Sequence, residues 1–173
     1  MKKRIIKDYL NLIEYENSSY LIDGKQLMTE EDKYEDEFID VLNEMEFKGF
    51  IKTLKSASKK VPDVKLTPKG AFYGKEYIKG YDKIFEKVTS LIAKDSEQFD
   101  NDAEISEELN TLLLYVGAVL YDLENKKYIK LEQKASGIFF KFTERGNDYF
   151  LEIKQWIELF KAIPIDKKIN FGE

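Results

Sequence analysis

Residues 42–54, LNEMEFKGFIKTL, with residues 66–73, LTPKGAFY, return further along the chain as LYDLENKKYIKLE at 120–132 and FTERGNDY at 142–149. The spacing is 78 up to the middle of the pattern (Leu42 to Leu120, Lys52 to Lys130) and 76 after it (Thr67 to Thr143, Tyr73 to Tyr149). A length change confined to a polar middle segment is what an exposed hairpin turn tolerates and a packed element does not. The chain therefore reads as two modules, each with an apolar-periodic helix, a hairpin and a second helix opened by threonine.

Working outward, Ile5, Ile6, Tyr9, Leu10, Leu12 and Ile13 share one face of a helix from about Lys3 to Tyr15, and Asn17 to Gly24 reads as a turn and short strand. Thr29, followed by Glu30, Glu31 and Asp32, predicts a helix start, with the helix or a short pair of helices reaching about Phe47. Gly49 stops it, and strands at 50–54 and 64–66 form the first hairpin. In the second module a helix is expected around Ile84 to Ala93, an acidic loop from Asp95 to Glu104 and one long helix from about Ser106 to Glu124. A hairpin over 128–142 and a last helix from Thr143 to Pro164 complete it. Tyr73, Tyr77, Tyr81 and Phe85 are spaced as one face of a connecting helix, which Gly80 bends.

The fold class expected is mainly α with small antiparallel β-hairpins, an α+β chain. The modules span 1–80 and 81–164, and the tail 165–173 is expected to be loose. With 173 residues, 43% hydrophobic, 12 Phe and 11 Tyr, the chain can fill two small cores. Its longest apolar run, between Thr111 and Tyr121, is about half of the ~20 residues a bilayer requires. Charges at Lys7, Asp8, Glu14 and Glu16 interrupt any signal-peptide core, so a cytoplasmic protein with no membrane partner is expected. The absence of cysteine and histidine removes disulfides, thiolate metal sites and the commonest general base. No phosphate-binding glycine loop or nucleophile elbow occurs, and the alternating Asp100, Asp102 and Glu104 lack the glycine and closing glutamate of a calcium loop. The reading is a non-enzyme with no catalytic residue, metal or cofactor.

A helix ending in L-x-x-M-E-x-K-G, a strand F-I-K, a polar loop and then L-T-x-x-G-x-x-Y resembles the winged-helix superfamily, in which the hairpin is the wing. The second copy departs from it with Lys126-Lys127-Tyr128 where glycine is the rule and Phe142 in place of leucine. The resemblance covers nearly the whole chain and implies two tandem winged-helix-like domains, a fold that serves DNA readers, dimerisation units and protein-interaction modules alike.

Charge divides the functional readings. Residues 29–47 hold nine acids against Lys33, and Asp95 to Asn125 holds no base, so the helices expected to enter a DNA groove are acidic. Residues 48–83 hold ten lysines against three acids, and 126–145 hold six bases against two acids. The first reading is a DNA-associated regulator whose wings bind phosphates through Lys52, Lys55, Lys59, Lys60, Lys65, Lys130, Lys134 and Arg145. With only two arginines, sharp base readout is not expected. The alternative is an interaction module or nucleic-acid mimic that docks on a basic protein surface through Glu30, Glu31, Asp32, Glu35, Asp36, Glu37, Asp40, Asp100, Asp102 and Glu104, in keeping with a net charge of −5. The apolar stripe of the last helix, around Trp156 and Phe160, offers a homodimer contact.

Overall fold

The computed structural model describes residues 1–16, 21–30, 32, 34–95 and 98–162. Among the described residues, seven α-helices and two small antiparallel sheets give a mainly helical α+β chain in the order α1 (Lys2–Glu16), β1 (Ile22–Asp23), α2 (Glu35–Phe47), β2 (Ile51–Leu54), β3 (Asp63–Leu66), α3 (Pro68–Tyr73), α4 (Tyr81–Lys94), α5 (Asp102–Leu109), α6 (Leu113–Asn125), β4 (Ile129–Lys134), β5 (Gly137–Phe142) and α7 (Glu144–Ala162). The first sheet has the strand order β1-β3-β2, and the second is the hairpin β4-β5, touched on one edge by an Asn101–Phe139 bridge.

The internal repeat has an atomic basis. Helices α2 and α6 end alike, because the N–H groups of Gly49 and Phe50 return to Glu46 and Met45, and those of Lys127 and Tyr128 return to Glu124 and Leu123. This closing turn needs a left-handed residue, and Gly49 supplies it at φ 73°. Lys127 takes the same conformation at φ 63°, so the missing glycine is a local strain and not a change of structure. Each helix then ties down its strand through a glutamate: Glu46 accepts from Thr53 N–H (2.6 Å), and Glu124 accepts from Leu131 N–H (2.9 Å). Thr67 and Thr143 cap the following helices by accepting from Gly70 and Gly146 N–H, both at 3.0 Å. Their hydroxyls donate back to the carbonyls of Gly49 and Lys127, both at 2.7 Å. A side chain at Gly70 would meet the Phe50 carbonyl, and one at Gly146 the Tyr128 carbonyl, which is why both modules keep glycine there.

Several expectations need correction. The helix predicted to start at Thr29 starts at Glu35, because the Thr29 hydroxyl and N–H donate to Asp32 in a turn of their own. The single helix expected from Ser106 to Glu124 is two, α5 and α6. Asn110 turns left-handed at φ 46°, and the Ser106 hydroxyl and carbonyl bond to Thr111 across the break. The loop expected at 95–104 already contains the first residues of α5. The tyrosine stripe is not one helix face: α3 ends at Tyr73, a short 3-10 turn holds Lys75–Tyr77, and left-handed Gly80 precedes α4. Tyr73 stacks on Phe50 while Tyr81 and Phe85 reach the second core. Residues 17–20, Glu31, Lys33, residues 96–97 of the expected acidic loop, the predicted helix end at 163–164 and the tail 165–173 lie outside the described residues.

Two apolar clusters carry the modules, and α6 joins them. Its Leu114, Tyr115 and Ala118 pack with Ile5, Ile6, Leu42 and Val64 of the first, while Val116, Val119, Leu120 and Leu123 pack with Val88, Ile92 and Phe140 of the second. Pro68 of α3 lies against Gly117, where any side chain would collide with its ring. Beside this seam the buried Asp122 carboxylate accepts from Lys75 (2.7 Å) and the Tyr81 hydroxyl (3.0 Å), and pairs with Lys126 (3.4 Å). Burial, with the neighbouring Asp122 charge, pushes the Tyr81 hydroxyl far above the usual tyrosine range.

Candidate nucleic-acid interface

The eight predicted phosphate contacts separate into different environments. Lys59 lies between Asp63 (2.7 Å) and Asp23 (3.0 Å), and Lys60 between Asp36 (3.1 Å) and Glu35 (3.5 Å). Hydrogen bonds to Asp63 and Asp36 raise the two ammonium groups above the usual lysine value. The tip of the first hairpin thus folds its cations onto the acids of β1, β3 and α2, and these two lysines are largely neutralised as phosphate contacts. Lys55 is exposed just beyond β2 and makes no ion pair among the described residues.

Lys52 and Lys65 face each other directly across β2 and β3, both exposed on the outer side of the sheet. The matching positions of the second module, Lys130 and Lys141, are also opposed across β4 and β5. Directly opposed like charges destabilise a strand pair by up to about 1 kcal/mol, yet the arrangement occurs in both copies. Glu132 neutralises Lys141 at 2.7 Å, whereas Lys52 makes no ion pair among the described residues. Lys52 and Lys65 line a groove of about 440 Å³ together with Lys134 of the second hairpin. Lys134 sits over the Phe139 ring at 3.9 Å. Lys130 and Arg145 do not line this groove; Arg145 lies over Tyr128, 5.0 Å from the ring centre, beside the Tyr128–Tyr149 stack.

The floor of the groove, which sequence reading missed, comes from Pro68, the first turn of α6 (Leu113, Leu114) and Ile138. At its inner end Asp102, 3% exposed, accepts the Ile138 N–H at 2.8 Å and fills the space beside Gly137. Asp102 therefore anchors the second hairpin, and it is no part of an exposed acidic face. Burial raises its carboxyl above the ordinary aspartate value, against the lowering effect of the Ile138 N–H. The one signal in sequence for this site was the matched lysine positions of the repeat. Which loops meet across the groove depends on how α3 and α6 pack.

The acidic face is also reduced. Asp32 is 3% exposed in its side chain and held by Arg4 at 2.6 Å. Glu35 pairs with Lys25 (3.3 Å) as well as Lys60, and Glu31 is outside the described residues. Hydrogen bonds from Lys2 and then Lys48 lower Glu44 to about 2. Glu30, Glu37, Asp40, Asp100 and Glu104 remain exposed, and Asp36 is exposed although paired with Lys60. Phe47, 89% exposed, lies on the same side of α2 as Asp36 and Asp40 by helical spacing. By contrast α6, which occupies the corresponding place in the second module, is buried over 114–120 and cannot enter a DNA groove as the molecule stands.

Among the described residues no group of three or more acids could hold a metal ion, and no helix is long and apolar enough to cross a membrane. On α7, Trp156 (62% exposed), Leu159 and Phe160 face outward. No protein-family model matches the chain, and neither the curated proteins nor the solved structures compared with it yield a match.

Proposed function

We propose that this chain is a non-enzymatic, DNA-associated regulatory protein of two tandem winged-helix-like units, holding the phosphate backbone through lysines of its two hairpins. The observation that carries this reading is the groove where Lys52 and Lys65 of one hairpin meet Lys134 of the other. An α2 rich in acids and a buried α6 argue against a helix in the major groove, so contact through the hairpins would position the backbone without reading bases. The opposed lysines, unfavourable for the isolated strands, become favourable when an anion lies between them.

Three neutralised phosphates predict an affinity loss of roughly 40-fold between ~50 and ~200 mM salt. Binding of a fluorescent random-sequence duplex at the two concentrations measures this. Lys52→Gln with Lys134→Gln should flatten the salt slope by about 0.9 for each lysine removed, while Lys60→Gln should leave it nearly unchanged. No binding of either duplex or single-stranded DNA at the lower salt would refute the proposal.

A second reading is favoured by α2, where Asp36 and Asp40 share a side of the helix with the exposed Phe47 and would suit a basic protein surface with an apolar pocket. Retention of a partner by the wild type and its loss on Phe47→Ala, without change in DNA binding, would support it. The exposed stripe of α7 is consistent with homodimer formation in either case.

A further inference from the structure

The groove between the hairpins carries more than positive charge. Besides its three lysines and the buried Asp102, Pro68, Leu113 and the largely buried Ile138 line it and give it an apolar floor. A surface that held only phosphates would gain nothing from that floor. Leu113 is 42% exposed at the start of α6, and Leu112, the N-cap residue, is 38% exposed and makes no side-chain capping bond. Leucine is among the poorer choices for an N-cap, where Ser, Thr, Asp or Asn would satisfy the free N–H groups. The chain thus departs from local helix preference in two ways at one place, leaving apolar surface exposed and the positive end of a 13-residue helix uncapped. The same groove has three lysines around it, and its volume of about 440 Å³ lies within the range of roughly 300–1,000 Å³ typical of ligand sites.

Resting on the nucleic-acid reading above, we infer that the groove takes one unstacked nucleotide of a single strand, its base on Leu113, Pro68 and Ile138 and its phosphates toward Lys52, Lys65, Lys134 and the start of α6. Every base has an apolar face, so such a site would be tolerant of sequence, in keeping with the scarcity of arginine. A duplex would have to unpair and unstack a base to fill it, which penalises double-stranded DNA at the floor though not at the lysines. The strand therefore gains from both halves of the groove, and the duplex from one.

The test uses the full chain and fluorescence anisotropy at ~50 mM salt with three probes of equal length: an oligothymidine, a random duplex and an oligonucleotide with abasic sites throughout its centre. The expected result is at least 10-fold tighter binding of oligothymidine than of either other probe. Leu113→Ser should bring oligothymidine close to the duplex value while leaving duplex affinity unchanged, and Lys134→Gln should weaken all three. Equal or tighter binding of the duplex, or of the abasic strand, by the wild type would overturn the inference and leave the phosphate-binding proposal standing. Binding of none of the three would overturn both. The comparison of probes on wild-type protein needs no variant to fold.

Discussion

Two single residues carry strain or charge that the fold does not need, and both can be tested. Lys127 ends α6 at φ 63° in a turn that its counterpart Gly49 makes at φ 73°. A left-handed non-glycine residue costs about 1–2 kcal/mol, against an entropic cost of roughly 0.5–1 kcal/mol for glycine. Lys127→Gly should therefore raise unfolding free energy by about 0.5–1 kcal/mol in urea titrations, and an equal or lower stability would contradict the equivalence of the two turns. Asp102 is the second case. Its raised carboxyl means that, between the unfolded value of 3.8 and the folded one, the native state holds more proton than the unfolded chain. Its contribution to stability therefore falls as pH rises through the folded pKa and recovers on acidification. Asp102→Asn keeps an oxygen for the Ile138 N–H and removes the buried charge, so the variant should match or exceed the wild type at pH 7 and lose that advantage toward pH 4. Urea unfolding at the two pH values decides it; a variant much weaker at pH 7 would mean the charge itself holds the second hairpin.

At the scale of elements, the hairpins show stability and binding pulling in opposite directions. Lys52→Glu turns the opposed pair with Lys65 into an attractive one, which should stabilise the first sheet by about 0.5–1 kcal/mol and weaken nucleic-acid binding. A purely structural role for Lys52 predicts no loss of binding, so thermal unfolding and anisotropy on one variant separate the two. These elements were readable because their signals are local: Gly49 after an apolar-periodic run, Thr67-Pro68 at a helix start, and the repeat that transfers each assignment to its partner. Misreadings arose where a distant or side-chain contact overrode a local pattern. Thr29 has the residues of a helix start, but Arg4 draws Asp32 into a separate turn. The run from Ser106 to Glu124 has no proline or glycine break at Asn110, because asparagine can enter the left-handed region by itself. Among the charges, sequence located the bases but not their partners, so nothing local set Lys59 and Lys60 apart from Lys52, although the acids of α2 and β3 cover the first two.

For the whole molecule, the repeat suggests two separable units while the packing of α6 opposes separation. Leu114, Tyr115 and Ala118 complete the core formed by α1, α2 and the first sheet, so a chain cut at residue 80 would expose the surface they cover. Burial of apolar side chains stabilises by about 1.5–3 kcal/mol for each large one, and two such losses with that of the Pro68–Gly117 contact would remove most of the stability of an 80-residue domain. Residues 1–80 alone should therefore be unfolded or molten by near-ultraviolet circular dichroism, and the full chain should melt in one transition with equal calorimetric and van't Hoff enthalpies. Two separate transitions, or a cooperatively folded fragment, would show that α6 merely touches the first core. The outcome bears on function as well, since the groove takes Lys52 and Lys65 from one module and Lys134 from the other. If the modules unfold together, the spacing of those lysines is fixed by the same contacts that hold the molecule. Variants that loosen the Pro68–Gly117 seam, such as Gly117→Ala, should then lower single-strand affinity before they lower helix content.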